Sequence, residues 1–168
     1  MRPPAITLDP MSEEEFAEFI RWVVRDHALQ QTRIGKWAPE DALEYAKGEL
    51  MLALPKGRES QDSYLYAVRD AETGERVGSL WLMLRRRARA PETYIYNIVV
   101  DEAKRHRGYG RAMMRETVRW AREHGTATIG LHVFGHNDVA RALYTSFGFR
   151  ETNVLMQWDL DTEAPETR

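Results

Sequence analysis

Apolar residues recur at helical spacing in the first third of the chain and predict two helices. Ser12 and Glu15 have the spacing of a capping box, so the first helix begins beside them. Its apolar side is formed by Phe16, Phe19, Ile20, Val23 and Val24, and we expect Phe19 and Trp22 to be core residues rather than ligand contacts. Pro39 at a first-turn position opens the second helix, whose apolar side is Leu43, Ala46 and Leu50.

The middle of the chain changes to the spacing of strands. Residues 63–69 and 76–84 are rich in residues that favour strands, and a turn separates them. Residues 94–100 are apolar or aromatic at nearly every position, which is typical of a strand covered on both faces. The run of residues 5–8 gives a further, short strand at the start of the chain.

Helical spacing returns at Gly108 and continues to Gly125. The apolar stripe of this helix is formed by Met113, Met114, Val118, Trp120 and Ala121. A strand over 127–134 and a short helix capped by Asn137 follow, and Gly148 ends that helix. Residues 149–160 contain enough β-forming residues for a final strand or a bent pair of strands. The resulting order, β-α-α-β-β-β-α-β-α-β, predicts an α/β fold with one mixed sheet and helices on both of its faces.

Length and composition exclude several classes of protein. The 168 residues fit one domain, which we place at 1–160, followed by a polar tail at 161–168. Opposite charges nearly balance, with a net charge of −2, so no nucleic-acid partner is expected. Cysteine is absent, which excludes disulfides and a cysteine-linked acyl-enzyme, and the five histidines lack metal-binding spacing. No apolar run approaches the ~18 residues of a membrane span, and no signal peptide is evident, so a cytoplasmic protein is expected.

The segment between the third strong strand and the next helix carries the clearest chemical signal. Gly108 and Gly110 let the backbone approach a ligand, and the first-turn amides of the helix point outward unpaired. Positive charge surrounds these amides, from Lys104, Arg105, Arg107 and Arg111. The pattern is compatible with a pyrophosphate site and equally with a solvated basic turn. A P-loop is excluded, because Arg111 stands where that motif needs lysine. A dinucleotide-binding fingerprint is excluded, because Met113 stands where it needs its third glycine.

Arg105-x-x-Gly108-x-Gly110 after a strand resembles the acetyl-CoA loop of the GNAT superfamily of N-acetyltransferases. A second block resembles that superfamily in order and spacing, formed by Leu131, Val133, Asn137, Ala140, Leu143, Tyr144, Gly148 and Phe149. The resemblance implies a mostly antiparallel sheet and transfer of an acetyl group from acetyl-CoA to an amine. It also implies that the sheet splays between the strands at 94–100 and 127–134.

The resemblance further implies roles for individual residues. The pantetheine arm of acetyl-CoA would pair with the backbone of Ile98, Val99 and Val100. The pyrophosphate would bind at the amides of Arg105, His106, Arg107, Gly108, Tyr109 and Gly110, next to the charge of Arg111. Asn137 and Ala140 would also contact the cofactor, Asn137 through the pantetheine amides or on the adenine side. Tyr144 would protonate the departing thiolate.

The general base stays open at this stage. An alkylamine with a pKa near ~10.4 must lose a proton before it attacks a thioester. Related proteins often carry an acid where this chain has Asn97, and an amide cannot take up a proton. The remaining candidates are Glu92, Tyr94, Tyr96, His132 and water, and each of these side chains also has an ordinary structural interpretation.

The acceptor is equally open. Trp37 and Arg33, in the connection between the first two helices, are expected to border it, with the basic loop at 85–89 nearby. A small-molecule primary amine is the leading acceptor. Alternatives are a protein N-terminus or lysine, a longer acyl donor, and a CoA-binding module without turnover. The sequence leaves the oligomeric state open, and a homodimer is compatible with it.

Overall fold

The computed structural model describes residues 4–158, which form five strands and four α-helices. In chain order these are β1 (Ile6–Pro10), α1 (Glu13–Arg33), α2 (Ala42–Ala53), β2 (Ser63–Asp70), β3 (Arg76–Arg85), β4 (Glu92–Val100), α3 (Tyr109–Glu123), β5 (Thr128–Leu131) and α4 (Asp138–Ser146). The fold divides into two compact units, one that ends at Phe134 and one that begins at Gly135. The predicted tail at 161–168 lies outside the described residues. Within 4–158, no helix has the length and apolar character needed to cross a membrane.

All five strands belong to the first unit and form one sheet in the order β1-β2-β3-β4-β5. The first four strands are antiparallel neighbours, and β5 pairs parallel to β4. A parallel neighbour needs a crossover connection, which α3 supplies between β4 and β5. The predicted mixed, mostly antiparallel sheet is therefore confirmed.

One face of the sheet is covered by α1 and α2. The capping box is present as predicted, because the Glu15 amide donates to Ser12 Oγ and the Ser12 amide donates to the Glu15 carboxylate. The two helices and the facing strands share one core, which includes Phe19, Val23, Val24, Ala46, Leu50, Leu65, Ala67 and Trp81. The edge of the Phe19 ring meets the fully buried indole of Trp81, with 6.4 Å between ring centroids.

The other face of the sheet is covered by α3. Its buried side is formed by Ala112, Met113, Met114, Thr117, Trp120 and Ala121, in agreement with the predicted stripe. Trp120 Nε1 donates a hydrogen bond of 2.9 Å to the Tyr66 hydroxyl, and the Trp120 ring packs edge-on against Tyr64 of the same strand. Alternate side chains of β2 therefore serve opposite faces, since Leu65 and Ala67 belong to the core under α1 and α2.

Two details of the sequence prediction are wrong. The second helix begins at Ala42 rather than at Pro39, because residues 39–41 form a turn, and this places Ala42 in the core and leaves Leu43 half-exposed. The final strand over 149–160 does not form in the part of it that is described. Residues 151–158 are exposed and pair with none of the described strands, so their β propensity lacks the neighbouring strand on which a sheet depends.

We expect Ser12→Ala to lower the free energy of unfolding by about 1 kcal/mol, because it removes an acceptor from the first turn of α1. Asp41→Ala is the matched control, since Asp41 stands at the same position of α2 and makes no side-chain capping bond. Urea unfolding followed by circular dichroism measures both variants. Equal losses in the two would show that the capping box of α1 contributes nothing specific.

Candidate functional site

The loop that joins β4 to α3 exposes a series of backbone amides. His106 and Gly108 both have left-handed backbone conformations, with φ of 61° and 88°, and Gly108 caps α3 without any side-chain bond. Among the described residues, none accepts a hydrogen bond from the amides of residues 106–110. Unpaired amides at the start of a helix attract an anion, so this part of the fold has the character expected of a pyrophosphate site.

This loop is fastened to the turn between β2 and β3. The Tyr109 hydroxyl donates to Asp70 Oδ2 at 2.7 Å, and Asp70 Oδ1 accepts from the amides of Glu72 and Thr73 in its own turn. The Tyr109 bond, followed by these amides, lowers the pKa of Asp70 below its ordinary value. The same carboxylate thus shapes the turn and holds the first residue of α3.

The distribution of positive charge differs from the sequence prediction. Lys104 is only 18 % exposed and pairs with Glu75 at 2.5 Å, so its charge is neutralised by the turn instead of facing an anion. Arg105 extends back along β4, where its Nε lies 3.4 Å from the carbonyl oxygen of Val100. The anion-binding character of the loop therefore comes mainly from its amides.

Strand β4 has two irregularities at the level of this loop. Trp81 of β3 pairs with Asn97 and Leu82 pairs with Ile95, so Tyr96 is an extra residue in a β-bulge. The parallel ladder with β5 ends at the pair Ile95–Leu131, whereas β4 continues to Val100. The backbone of residues 96–100 is thus unpaired toward β5, as the expected splay requires. Ile98, Val99 and Val100 lie in this open stretch.

A cavity of about 200 Å³ adjoins the end of β4 on the side of α1. It is lined by Glu18, Phe19, Trp22, Arg76, Ser79, Val99, Val100, Asp101, Glu102 and Arg105. Arg76 spans it by bonding to Glu18 at 2.8 Å and to Asp101 at 3.4 Å. The prediction that Trp22 is a core residue is wrong, since it is 40 % exposed and lies in this wall. Helical spacing indicated the apolar side of α1, but Trp22 lies at the edge of that side, where the core ends.

The candidate bases differ in their surroundings. Glu92 forms two bonds to Arg87, of 2.6 and 2.9 Å, and Tyr94 lies under the guanidinium of Arg85 at 3.1 Å from the ring centroid. His132 is exposed and packs edge-on against Phe134. Tyr96 stacks on Trp81 with 3.8 Å between centroids. Glu92 and Tyr94 are thus engaged with arginines, so the structure does not favour either as a free base.

Asn97 lies beside the bulge with its Oδ1 atom buried and without a hydrogen-bond partner among residues 4–158. An orphaned buried acceptor is costly, so this amide oxygen is suited to receive a hydrogen bond from a bound molecule. The sequence indicated only that Asn97 cannot act as a base. It gave no sign that the amide would be left unpaired.

The second unit contains the remaining predicted residues. Asn137 caps α4 as predicted, with its Oδ1 accepting from the Ala140 amide at 3.2 Å. Arg141 bonds to Glu151 at 2.5 Å and so connects the helix to the segment that follows. Tyr144 packs against Phe149, and burial raises the pKa of Tyr144 to about 12. Its hydroxyl therefore keeps its proton at neutral pH.

Comparisons with known proteins identify relatives of this chain. A model of the acetyltransferase (GNAT) family matches residues 48–149. The chain is 34% identical to the uncharacterised N-acetyltransferase YycN of Bacillus subtilis, over 90% of this chain and 96% of that protein. It is also 34% identical to the uncharacterised N-acetyltransferase YdgE of the same organism, over 93% and 99% of the two chains.

A crystal structure of YycN superimposes on this fold with a TM-score of 0.87, at 33% identity and over 93% of this chain and 99% of that one. A shorter similarity, of 33% identity, links 45% of this chain with 51% of the [ribosomal protein bS18]-alanine N-acetyltransferase of Escherichia coli. The first two relatives thus match nearly the whole chain, and the third matches part of it.

We expect Tyr109→Phe to loosen the loop while leaving the fold intact, because the loop then loses its hydroxyl bond to Asp70. Amide hydrogen exchange at Lys104, Arg105 and Ala112, whose amides are hydrogen-bonded on the two sides of the loop, should become roughly two- to tenfold faster, the effect of one net hydrogen bond on local opening. Tyr64→Phe is the control, because no hydrogen bond is recorded for that hydroxyl, whose ring packs on α3. Unchanged exchange in Tyr109→Phe would show that other contacts hold the loop.

Proposed function

The chain belongs to the GNAT family of acetyltransferases, and on that premise we propose that it moves the acetyl group of acetyl-CoA to a primary amine of a small molecule. The observation that carries this proposal is the presence of two stretches of unpaired backbone, one at the end of β4 and one in the next loop. Residues 96–100 lack a partner on β5, and the amides of residues 106–110 lack acceptors among the described residues. A long ligand with amide groups at one end and a pyrophosphate at the other satisfies both stretches.

In this proposal, each part of acetyl-CoA is bound by particular residues. The backbone of Ile98, Val99 and Val100 pairs with the pantetheine arm, and the amides of residues 106–110 hold the pyrophosphate near Arg111. The amide of Arg105, which the resemblance also assigned to the pyrophosphate, donates instead to the carbonyl oxygen of Glu102. Asn137 and Ala140, at the start of α4, also contact acetyl-CoA. Because Asn137 Oδ1 accepts a hydrogen bond from the Ala140 amide, the Nδ2 group of Asn137 donates to the ligand. The bulge at Tyr96 directs backbone amides toward the thioester oxygen, where they stabilise developing negative charge.

The transfer is direct, from acetyl-CoA to the amine in a ternary complex. The chain has no cysteine that could carry the acetyl group between the two. The amine nitrogen attacks the thioester carbon, the carbon–sulfur bond breaks, and the sulfur leaves as a thiolate that takes up a proton. We assign that proton to the Tyr144 hydroxyl, whose raised pKa of about 12 keeps it available throughout the neutral range.

A second candidate acceptor is the N-terminal amine of a protein. The partial similarity to the [ribosomal protein bS18]-alanine N-acetyltransferase favours it, because that protein's name specifies an alanine of a ribosomal protein as its acceptor. Release of free thiol from acetyl-CoA, measured against a set of alkylamines and a set of short peptides with free N-termini, separates the two. Faster release with amines supports the small-molecule acceptor. Binding of CoA without release in either set would indicate a non-catalytic module.

We expect Gly108→Val to weaken acetyl-CoA binding at least tenfold. The left-handed φ of 88° is strained for any residue with a Cβ, and a Cβ there would lie 3.1 Å from Pro4 Cδ, so the loop must shift. Gly125→Val is the matched control, because Gly125 also has a positive φ but has open space around it at the far end of α3. Both variants should lose similar stability, and calorimetry should show that only Gly108→Val loses affinity. Equal affinities would argue against a pyrophosphate at this loop.

We expect Tyr144→Phe to keep acetyl-CoA affinity and stability while lowering turnover by roughly ten- to a thousand-fold, the scale of one general acid. The deficit should shrink with a donor whose leaving thiol is more acidic, because a better leaving group depends less on protonation. Tyr64→Phe again serves as the control. Wild-type turnover in Tyr144→Phe, under conditions where the chemical step limits the rate, would mean that the thiolate is protonated by water.

A further inference from the structure

A histidine and a carboxylate are paired between α1 and α2, apart from the residues discussed so far. His27 Nε2 lies 2.7 Å from Glu49 Oε2. A carboxylate only accepts hydrogen bonds, so Nε2 carries the proton of this bond, and in the neutral imidazole Nδ1 holds the free lone pair. The side chains of His27 and Glu49 are 31% and 46% exposed, which leaves both open to a solute.

Aromatic rings surround this pair. Trp37 meets the imidazole edge-on, with 5.2 Å between ring centroids at 90°, and Tyr45 lies 5.6 Å from Trp37. The ammonium of Lys36 is 3.8 Å from the second oxygen of Glu49. The packing restricts rotation of the His27 ring and provides apolar surface for the alkyl part of an amine. Trp37, which the sequence suggested as a border of the acceptor, is thus in contact with the histidine.

The pair faces the same side of the sheet as the bulge in β4. Ala46 and Leu50, which flank Glu49 on α2, share a core with Trp81, and Trp81 stacks on Tyr96 at the bulge. The carboxylate of Glu49 also acts on Tyr96 directly: burial first, and then the negative charge of Glu49, raise the pKa of that phenol. The histidine pair therefore lies within electrostatic reach of the place where the proposed reaction occurs.

We propose that His27 and Glu49 form the general-base pair for the acceptor amine. This proposal rests on the proposed function and deepens it. Glu49 holds the imidazole proton on Nε2, so that His27 Nδ1 can accept one proton of the ammonium. The freed nitrogen lone pair then forms the bond to the acetyl carbon as the carbon–sulfur bond breaks, and Tyr144 protonates the departing thiolate. The second proton of the nitrogen restores the Tyr144 hydroxyl by way of solvent, and the imidazolium returns its proton to solvent.

The need for such a pair follows from the acceptor. An alkylamine with a pKa near ~10.4 is deprotonated to less than about 0.1% at neutral pH, so proton removal limits the attack. Asn97 cannot perform it, and Glu92 and Tyr94 are engaged by arginines. Among the described residues, His27 combines an accessible nitrogen with a carboxylate partner, and its helix covers the face of the sheet on which Tyr96 stacks on Trp81.

The decisive variant is His27→Gln, because the glutamine amide can still donate to Glu49 while it cannot take up a proton. We would measure kcat/KM for an alkylamine at saturating acetyl-CoA from pH 6 to pH 10. At neutral pH the expected loss is roughly 10²- to 10⁴-fold. The loss should shrink toward pH 10, where the amine deprotonates by itself and Tyr144 still holds its proton. Glu49→Gln should lower kcat at neutral pH with a smaller effect on KM, because a glutamine no longer fixes the imidazole tautomer as a carboxylate does.

Arg119→Gln is the matched control, because it removes two ion pairs within α3, to Glu116 and Glu123, and should leave the whole profile unchanged. A loss in His27→Gln that is equal at every pH and accompanied by a lower melting temperature would overturn the proposal, since it would show a merely structural tie between α1 and α2. A wild-type profile in His27→Gln would overturn it while leaving the proposed function intact. Absence of thiol release by the unmodified enzyme with every amine would overturn both.

Discussion

Strand β4 has a neighbouring strand on each side, but only one of these neighbours pairs with it along its whole length. On the β3 side the ladder extends to Val100, whereas on the β5 side it ends at Ile95. Buried or half-buried peptide groups without partners are costly in a folded protein. The gap between β4 and β5 therefore leaves a row of backbone groups of β4 without partners on that side, and the amides of residues 106–110 form a second unpaired stretch after it. The proposed orientation of acetyl-CoA depends on this interruption of the sheet.

The sequence was sufficient for the parts of the fold that depend on local pattern. The capping box of α1, the stripe of α3, the Asn137 cap and the glycine loop all rely on residues within a few positions of each other, and the structure has them as predicted. The start of α2 was placed three residues early, because Pro39 is compatible with a helical first turn and with the turn that is actually present. Local signals of this kind identify an element better than they identify its first residue.

Features that depend on distant residues were not predictable from one sequence. Lys104 looked like a ligand for phosphate, but its partner Glu75 is far away in the chain and is brought close only by the turn between β2 and β3. The same applies to His27 and Glu49, which belong to different helices and follow no recognisable spacing. The strand predicted over 149–160 is absent from the described residues. Its β propensity is a local property of the sequence, but a strand also needs a neighbouring strand, which the local sequence does not reveal.

The neutralisation of Lys104 by Glu75 also has a consequence for how an anion is captured from solution. Attraction through fixed amide dipoles acts over a few ångströms, whereas attraction through net charge extends to the Debye length of about 8 Å at physiological ionic strength. With Lys104 paired, Tyr109 bonded to Asp70 and the whole chain near neutrality, the loop exerts less long-range pull than its sequence suggests. The affinity of this loop for an anion should therefore decrease less with added salt than that of a site with the same number of cations, all of them unpaired. The rate of encounter should depend more on diffusion than on electrostatic steering.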